Sequence, residues 1–227
     1  LVDASIGRTS NGWRLLSAPT PGWSNTGPAA LGDPTGVRIN EWMADAGQAD
    51  DWLELYNPAA QPVDLAGCYL TDDPSMSGQT NFLIGPLTLV PAGGFVKWVA
   101  DGHPENGRDH LNFSLDGLGE SLRLNASATH GIDGVDFEAM PPEVSAGRWL
   151  DGTANFVWFN QTPTPGASNY LPHPAIVVNE ILTHTDPPLE DAIEVHNRSS
   201  QPVDLGGWYL SNTSDHLKRC VIPPNTV

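Results

Sequence analysis

Asp51-Trp-Leu-Glu-Leu-Tyr-Asn-Pro-Ala-Ala-Gln-Pro-Val-Asp-Leu-Ala-Gly-Cys-Tyr-Leu-Thr-Asp-Asp73 is the stretch on which the fold turns. Trp52 to Tyr56 mixes aromatic and aliphatic residues with an alternating polar position, as a half-buried strand does. Asn57-Pro58 stops it: proline has no N–H for a sheet ladder, and asparagine tolerates turn dihedrals. Cys68-Tyr69-Leu70 then reads as the returning strand. The same order of residues recurs at Ala192-Ile-Glu-Val-His-Asn-Arg-Ser-Ser-Gln-Pro-Val-Asp-Leu-Gly-Gly-Trp-Tyr-Leu210. Gln61-Pro-Val-Asp-Leu65 returns unchanged as Gln201-Pro-Val-Asp-Leu205, an offset of 140 residues. That spacing is the length of a domain, and it predicts tandem copies of one unit.

Working outward, the opening residues fit the same pattern. Ser5-Ile-Gly-Arg8 matches Ser145-Ala-Gly-Arg148, and Pro19-Thr-Pro-Gly-Trp-Ser-Asn25 matches Pro163-Thr-Pro-Gly-Ala-Ser-Asn169. Each copy is therefore expected to close with an S-x-G-R strand, an Asn-Gly or Asp-Gly turn, an aromatic strand and a P-T-P-G-x-S-N loop. The expected division is the end of one copy at 1–27, a linker at 28–36, a complete copy at 37–170, a short linker at 171–175, and the first part of another copy at 176–227. Two partial copies around a whole one suggest a fragment of a longer array. In the complete copy, Val37, Ile39 and Met43 are expected on one side of the first strand. Nine or ten short strands, with turn residues every 8–12 positions, give the pattern of an all-β sandwich.

The bulk composition agrees. The 227 residues include 23 Gly and 21 Pro spread between short apolar runs, and no long amphipathic helical stripe. Ten basic residues face 27 acidic ones, a formal net charge of −17, which argues against unaided binding of a phosphate backbone. No 18-residue apolar run predicts a membrane span. Cys68 and Cys220 do not occupy equivalent repeat positions, so two unrelated thiols are expected rather than a bridge.

Glu41, Glu54 and Asp64 recur as Glu180, Glu194 and Asp204, but an acid/base pair needs two carboxyl groups facing a cleft. Glu54 is out of phase with Leu53 and Leu55 and is expected to face away from the core. Asp64 suits a turn in which its side chain accepts neighbouring amides. Asp50, Asp51, Asp72 and Asp73, with Asp101 and Asp109, crowd loops where Ca²⁺ could find oxygen ligands, yet none fits a calcium-loop spacing. The histidines show no metal-binding spacing, and no nucleophile elbow or phosphate loop is present. Trp42, Trp52, Trp98, Trp149 and Trp158 are expected in the core; on one exposed face they would instead make a sugar-stacking platform.

Ile39-Asn40-Glu41, Trp52–Asn57, Val63–Leu70, Gly119-Glu-Ser-Leu-Arg-Leu124, Gly147-Arg148 and Pro163–Asn169, taken in this order, resemble the lamin tail domain. The P-T-P-G-x-S-N ending is similar to the bacterial, secreted branch, and no coiled-coil rod precedes any copy. The resemblance implies an immunoglobulin-like β-sandwich without catalytic residues or a cofactor, strung as modules in exported or surface proteins. Its partners would be other domains of the same chain, a surface protein or a polysaccharide. On this reading Asn40, Glu41, Glu54, Asn57, Asp64, Gly67 and Tyr69 are a structural signature, repeated as Asn179, Glu180, Glu194, Asn197, Asp204, Gly207 and Tyr209. A carbohydrate- or matrix-binding accessory to a secreted kinase, nuclease or hydrolase is the alternative, with a DNA-associated module a distant third.

Overall fold

A computed structural model describes residues 1, 3–188, 190–213 and 218–227. The chain divides into two compact units, Leu1–Tyr170 and Leu171–Val227.

The first unit opens with a hairpin of β1 (Ile6–Thr9) and β2 (Gly12–Leu15). After a 3-10 turn at Pro34–Gly36 come β3 (Arg38–Met43), β4 (Trp52–Tyr56), β5 (Val63–Asp64) and β6 (Tyr69–Thr71). They are followed by β7 (Phe82–Leu83), β8 (Leu89–Val90) and β9 (Phe95–Val99). β10 (Ser121–Ser127), β11 (His130–Asp136), β12 (Ser145–Arg148) and β13 (Phe156–Phe159) complete the unit. One sheet has the order β13-β12-β3-β4-β9 and the other β11-β10-β6-β7; β5 pairs with β8. The sheets enclose one core, with Ile39, Leu53, Leu55 and Trp98 from the first meeting Leu70, Leu122, Leu124 and Val135 from the second. This is a two-layer antiparallel β-sandwich.

One irregularity reorganises the centre of the larger sheet. Ile39 pairs with Leu55 and Glu41 with Glu54, so Asn40 is an extra residue, a β-bulge. The bulge reverses the phase of the strand. Trp42, rather than Met43, joins Ile39 in the main core, and Met43 packs with Ala46 and Trp52 in a separate small cluster. The expectation that Val37, Ile39 and Met43 share one side therefore fails at Met43, because alternation counts through a bulge incorrectly.

The second unit contains β14 (Ile176–Leu182) paired with β15 (Ala192–Asn197), and β16 (Tyr209–Leu210) paired with β17 (Cys220–Val221). Its first hairpin carries the same bulge: Val178 pairs with Val195, Glu180 with Glu194, and Asn179 is the extra residue. The following turns also correspond. Leu65 N–H donates to Thr88 O, Gly67 N–H to Ile84 O and Ile84 N–H to Cys68 O; Leu205, Gly207 and Ile222 make the matching bonds to Thr226, Ile222 and Trp208. Cys68 is buried, Cys220 is exposed, and both are free thiols.

Candidate functional site: the sealed bulge

A bulge leaves ladder groups without their usual partners, and buried backbone groups must find others. The Ile39 amide donates to Asp133 Oδ2 at 2.8 Å, and the Ile39 carbonyl accepts from Arg148 Nε at 2.8 Å. Arg148 also grips both Asp133 oxygens, at 3.1 and 2.9 Å, in a nearly buried ion pair. The Asn40 carbonyl accepts from Asn169 Nδ2 at 3.3 Å, and that amide also reaches Arg148 O at 2.8 Å. Three distant elements thus repair one insertion.

The bulge turns Asn40 and Glu41 toward the face of the sheet opposite the main core, beside Glu54. The loop after β13 covers that face. Glu41 takes Ser145 Oγ at 2.5 Å and the Thr164 amide at 3.1 and 3.2 Å, with Thr164 Oγ1 2.9 Å from its second oxygen. Thr164 Oγ1 in turn lies 2.7 Å from Asn169 Oδ1. Glu54 receives the Gly166 amide and, at 3.2 Å, Asn40 Nδ2. Asp151 Oδ1 ties Asn40 Nδ2 to the Asn169 amide, and the Gly152 amide donates to Asn40 Oδ1.

Glu41 and Glu54 are both fully buried, and no ion pair among the described residues reaches either. Burial pushes Glu54 up to about 9; the Gly166 amide opposes the shift and the neighbouring Glu41 adds to it. Burial likewise raises Glu41, against the Ser145 and Thr164 hydrogen bonds. Glu54 therefore keeps its proton at neutral pH. Glu54 does point away from Leu53 and Leu55, but it meets its own chain's closing loop. Glycine is required at 147: a Cβ there would strike Asn40 O and stand 3.0 Å from Glu41 Cα.

The remaining candidates are dispersed. Asn57 Nδ2 donates to Gln61 O and Pro91 O at 2.9 Å, and Asn197 repeats the bond to Gln201 O at 2.8 Å. Asp64 and Asp204 accept the Ala66 and Gly206 amides in equivalent turns. Gly67 and Gly207 hold φ of 87° and 84°, which glycine adopts without strain. Tyr69 is half-buried at the start of β6, and Tyr209 is exposed at the start of β16. Asp50, Asp51 and Asp101 line a shallow polar hollow with His103, whereas Asp72 and Asp73 bind Asn81 and Ser75 in their own loop. Asp109 stands in the loop whose carbonyl takes the Val99 amide. Burial alone would raise Asp101, but the His103 amide, the His110 ring and Asn106 bring it to about 2. Among the described residues no group of three His, Cys, Asp or Glu side chains is arranged to hold a metal ion. Trp42, Trp52 and Trp98 are buried, but Trp149 and Trp158 are exposed, against the expectation that all five fill the core. The reason is their position on the β12–β13 hairpin, at the rim of the sheet.

Ser145, Asp151, Thr164 and Asn169 entered the sequence reading only as parts of motifs. Ser145, Thr164 and Asn169 repeat Ser5, Thr20 and Asn25 at matching places, and Asp151 answers Asn11 in the Asn-Gly or Asp-Gly turn. Asp133 has no counterpart in the repeated segments and could not have been found that way.

Two antiparallel sheets around one core, with a bulged central strand whose buried carboxyl groups lie under the closing loop, define an immunoglobulin-like β-sandwich module. Residues 32–139 match the family model described as Lamin Tail Domain, and over that stretch the chain belongs to the lamin tail domain family. The matched region contains Asn40, Glu41, Glu54 and Asp133, while the closing segment that covers them lies beyond it. No curated protein and no solved structure matches the chain. No helix among the described residues is long and apolar enough to cross a membrane.

Proposed function

We propose that the chain is a non-catalytic spacer and interaction segment of a larger exported bacterial protein, built from lamin-tail-type units in tandem. The observation that carries this is the sealing of Glu41 and Glu54. The only carboxyl pair that register places side by side at the centre of the larger sheet is spent on holding the Pro163–Asn169 loop through Thr164 and Gly166. Neither acid faces space in which a substrate would sit. Shared bulges, turns and closing motifs at offsets near 140 support the tandem arrangement. The strong negative charge suits an extracellular setting and weighs against a DNA-associated role. The test is a panel of esterase, glycosidase, phosphodiesterase and peptidase substrates with the whole chain and with Glu54→Gln. No turnover is expected from either; turnover by the parent chain that Glu54→Gln abolishes would overturn the proposal.

One observation favours the accessory-module alternative. Phe156 and Trp158, two residues apart on the edge strand β13, share a face and are 45% and 51% exposed. Trp149, by register, stands on the other face, so the two tryptophans do not form a coplanar pair. Retention on an insoluble polysaccharide that Trp158→Ala removes would establish this reading instead.

A further inference from the structure

β13 is the terminal strand of the larger sheet, and it lies inside the complete copy. Trp158, Ala146, Trp42, Leu53 and Trp98 stand opposite one another across that sheet, forming one row on its core face. All are buried except Trp158, which ends the row and is 51% exposed. Phe156, on the same face, packs on Trp42 with 5.8 Å between ring centroids and is 45% exposed. The core face thus continues past the smaller sheet as an uncovered aromatic margin.

The backbone is open along the same margin. Trp149 N–H donates to Asn155 O at 2.8 Å, while Arg148 O turns the other way, to Asn169. Bonds alternate along an antiparallel pair, so β12 engages Val157 and Phe159. The N–H and C=O of Phe156 and Trp158 therefore point outward. The other edges of the sandwich are guarded. β9 carries Lys97, and its Val99 N–H and C=O are taken by Asp109 and Leu111. β11 carries Asp133 and Asp136, and β7 has only two residues. β13 reads Phe-Val-Trp-Phe, without the charge or proline that usually blunts an edge. Its surroundings are neutral as well: residues 152–172 contain no Asp, Glu, Lys or Arg, in a chain of net charge −17. This is a margin where two such acidic molecules can meet without repulsion.

We propose that β13 pairs with β13 of a second copy, antiparallel about a two-fold axis at Val157. In that register Phe156 stands opposite Trp158 of the second copy, and Trp158 opposite Phe156 of the second copy. Two requirements are met together: the outward N–H and C=O groups exchange bonds, and the exposed rings cover each other on one face. A slip of one residue loses both. The symmetry of the strand about Val157 selects a second copy over an unrelated strand. A polysaccharide would cover the rings and leave the backbone groups unanswered. The contact is isologous, so it closes as a dimer. It goes beyond the spacer reading and does not depend on it; its failure would leave that reading standing.

The experiment is sedimentation velocity of the whole chain from about 1 to about 500 μM, beside Trp158→Ala, Val157→Lys and Val157→Glu. A reversible monomer–dimer equilibrium is expected from the parent. Trp158→Ala removes two ring contacts per dimer and should weaken association at least about tenfold. Val157 is half-buried on the opposite face, and each charged variant sets like charges across the axis, weakening association at least about fivefold. Mixing Val157→Lys with Val157→Glu should restore the dimer, which a misfolded variant could not do. A parent chain that stays monomeric throughout, association unchanged by Trp158→Ala, or a mixture that associates no better than its components would overturn the proposal.

Discussion

The bulge of β3 and the bulge of β14 carry the same residues in different surroundings. In the first unit Asn40, Glu41 and Glu54 lie beneath a closing loop, fully buried; in the second, Asn179, Glu180 and Glu194 face solvent. The pairing register and the Asn-to-Glu bond are common to both, so two strands suffice to form them. What the closing segment adds is burial, and burial raises Glu41 and pushes Glu54 up to about 9. The difference teaches that the Asn-Glu pair is a socket for the closing loop. Its hydrogen bonds are directed at backbone amides and hydroxyls of a particular loop.

Glycine replacement should separate the two settings most sharply. Gly147→Ala puts a methyl group against the Asn40 carbonyl and is expected to destabilise the first unit by about 3 kcal/mol or more. The matching Gly7→Ala meets only the side chains of Leu16 and Asn25, which can shift, and should cost about 1 kcal/mol or less by thermal or urea unfolding. Equal losses at the two sites would break the comparison.

Arginine gives a second contrast. Arg148→Ala strands a nearly buried Asp133 and uncovers the Ile39 carbonyl, a loss of about 3–5 kcal/mol. Arg8→Ala, on an exposed side chain over Trp13, should stay within about 0.5 kcal/mol in the same unfolding assay.

The smallest effect per step is in pH. Glu54 keeps its proton in the folded state up to about 9 but loses it near 4.5 when unfolded, so the native state binds more protons between those values. Stability is therefore full below about pH 4.5 for this group and falls as pH rises toward 9, by up to about 1.4 kcal/mol per unit. Glu120, raised by burial to about 7, adds to the slope, so the informative quantity is the difference between parent and Glu54→Gln. Glu54→Gln should flatten the profile relative to the parent.

Much of this fold was legible in the chain because strand and turn signals are local. Asn57-Pro58, Asp64 and Gly67 announce their turns through side-chain caps and a positive φ that neighbouring residues suffice to specify. The site was half legible. Ile39-Asn40-Glu41 could be seen to recur, but the inserted residue at Asn40 shows itself only against the partner strand. That is why simple alternation places Met43 on the wrong side, and why Glu54, rightly read as facing away from the core, gives no sign of the loop it meets. Its cover comes from residues more than 100 positions later, a link that strand periodicity does not carry.

Hydrogen exchange of the Thr164 and Gly166 amides by NMR tests the central claim most directly. Both amides end on buried carboxyl groups, so they should exchange as slowly as the amides of β3 and β4, and Glu54→Ala should accelerate Gly166 at least about tenfold. Exchange of these two amides at the rate of an open loop, unaffected by Glu54→Ala, would mean that the loop does not seal the pair and would contradict the account.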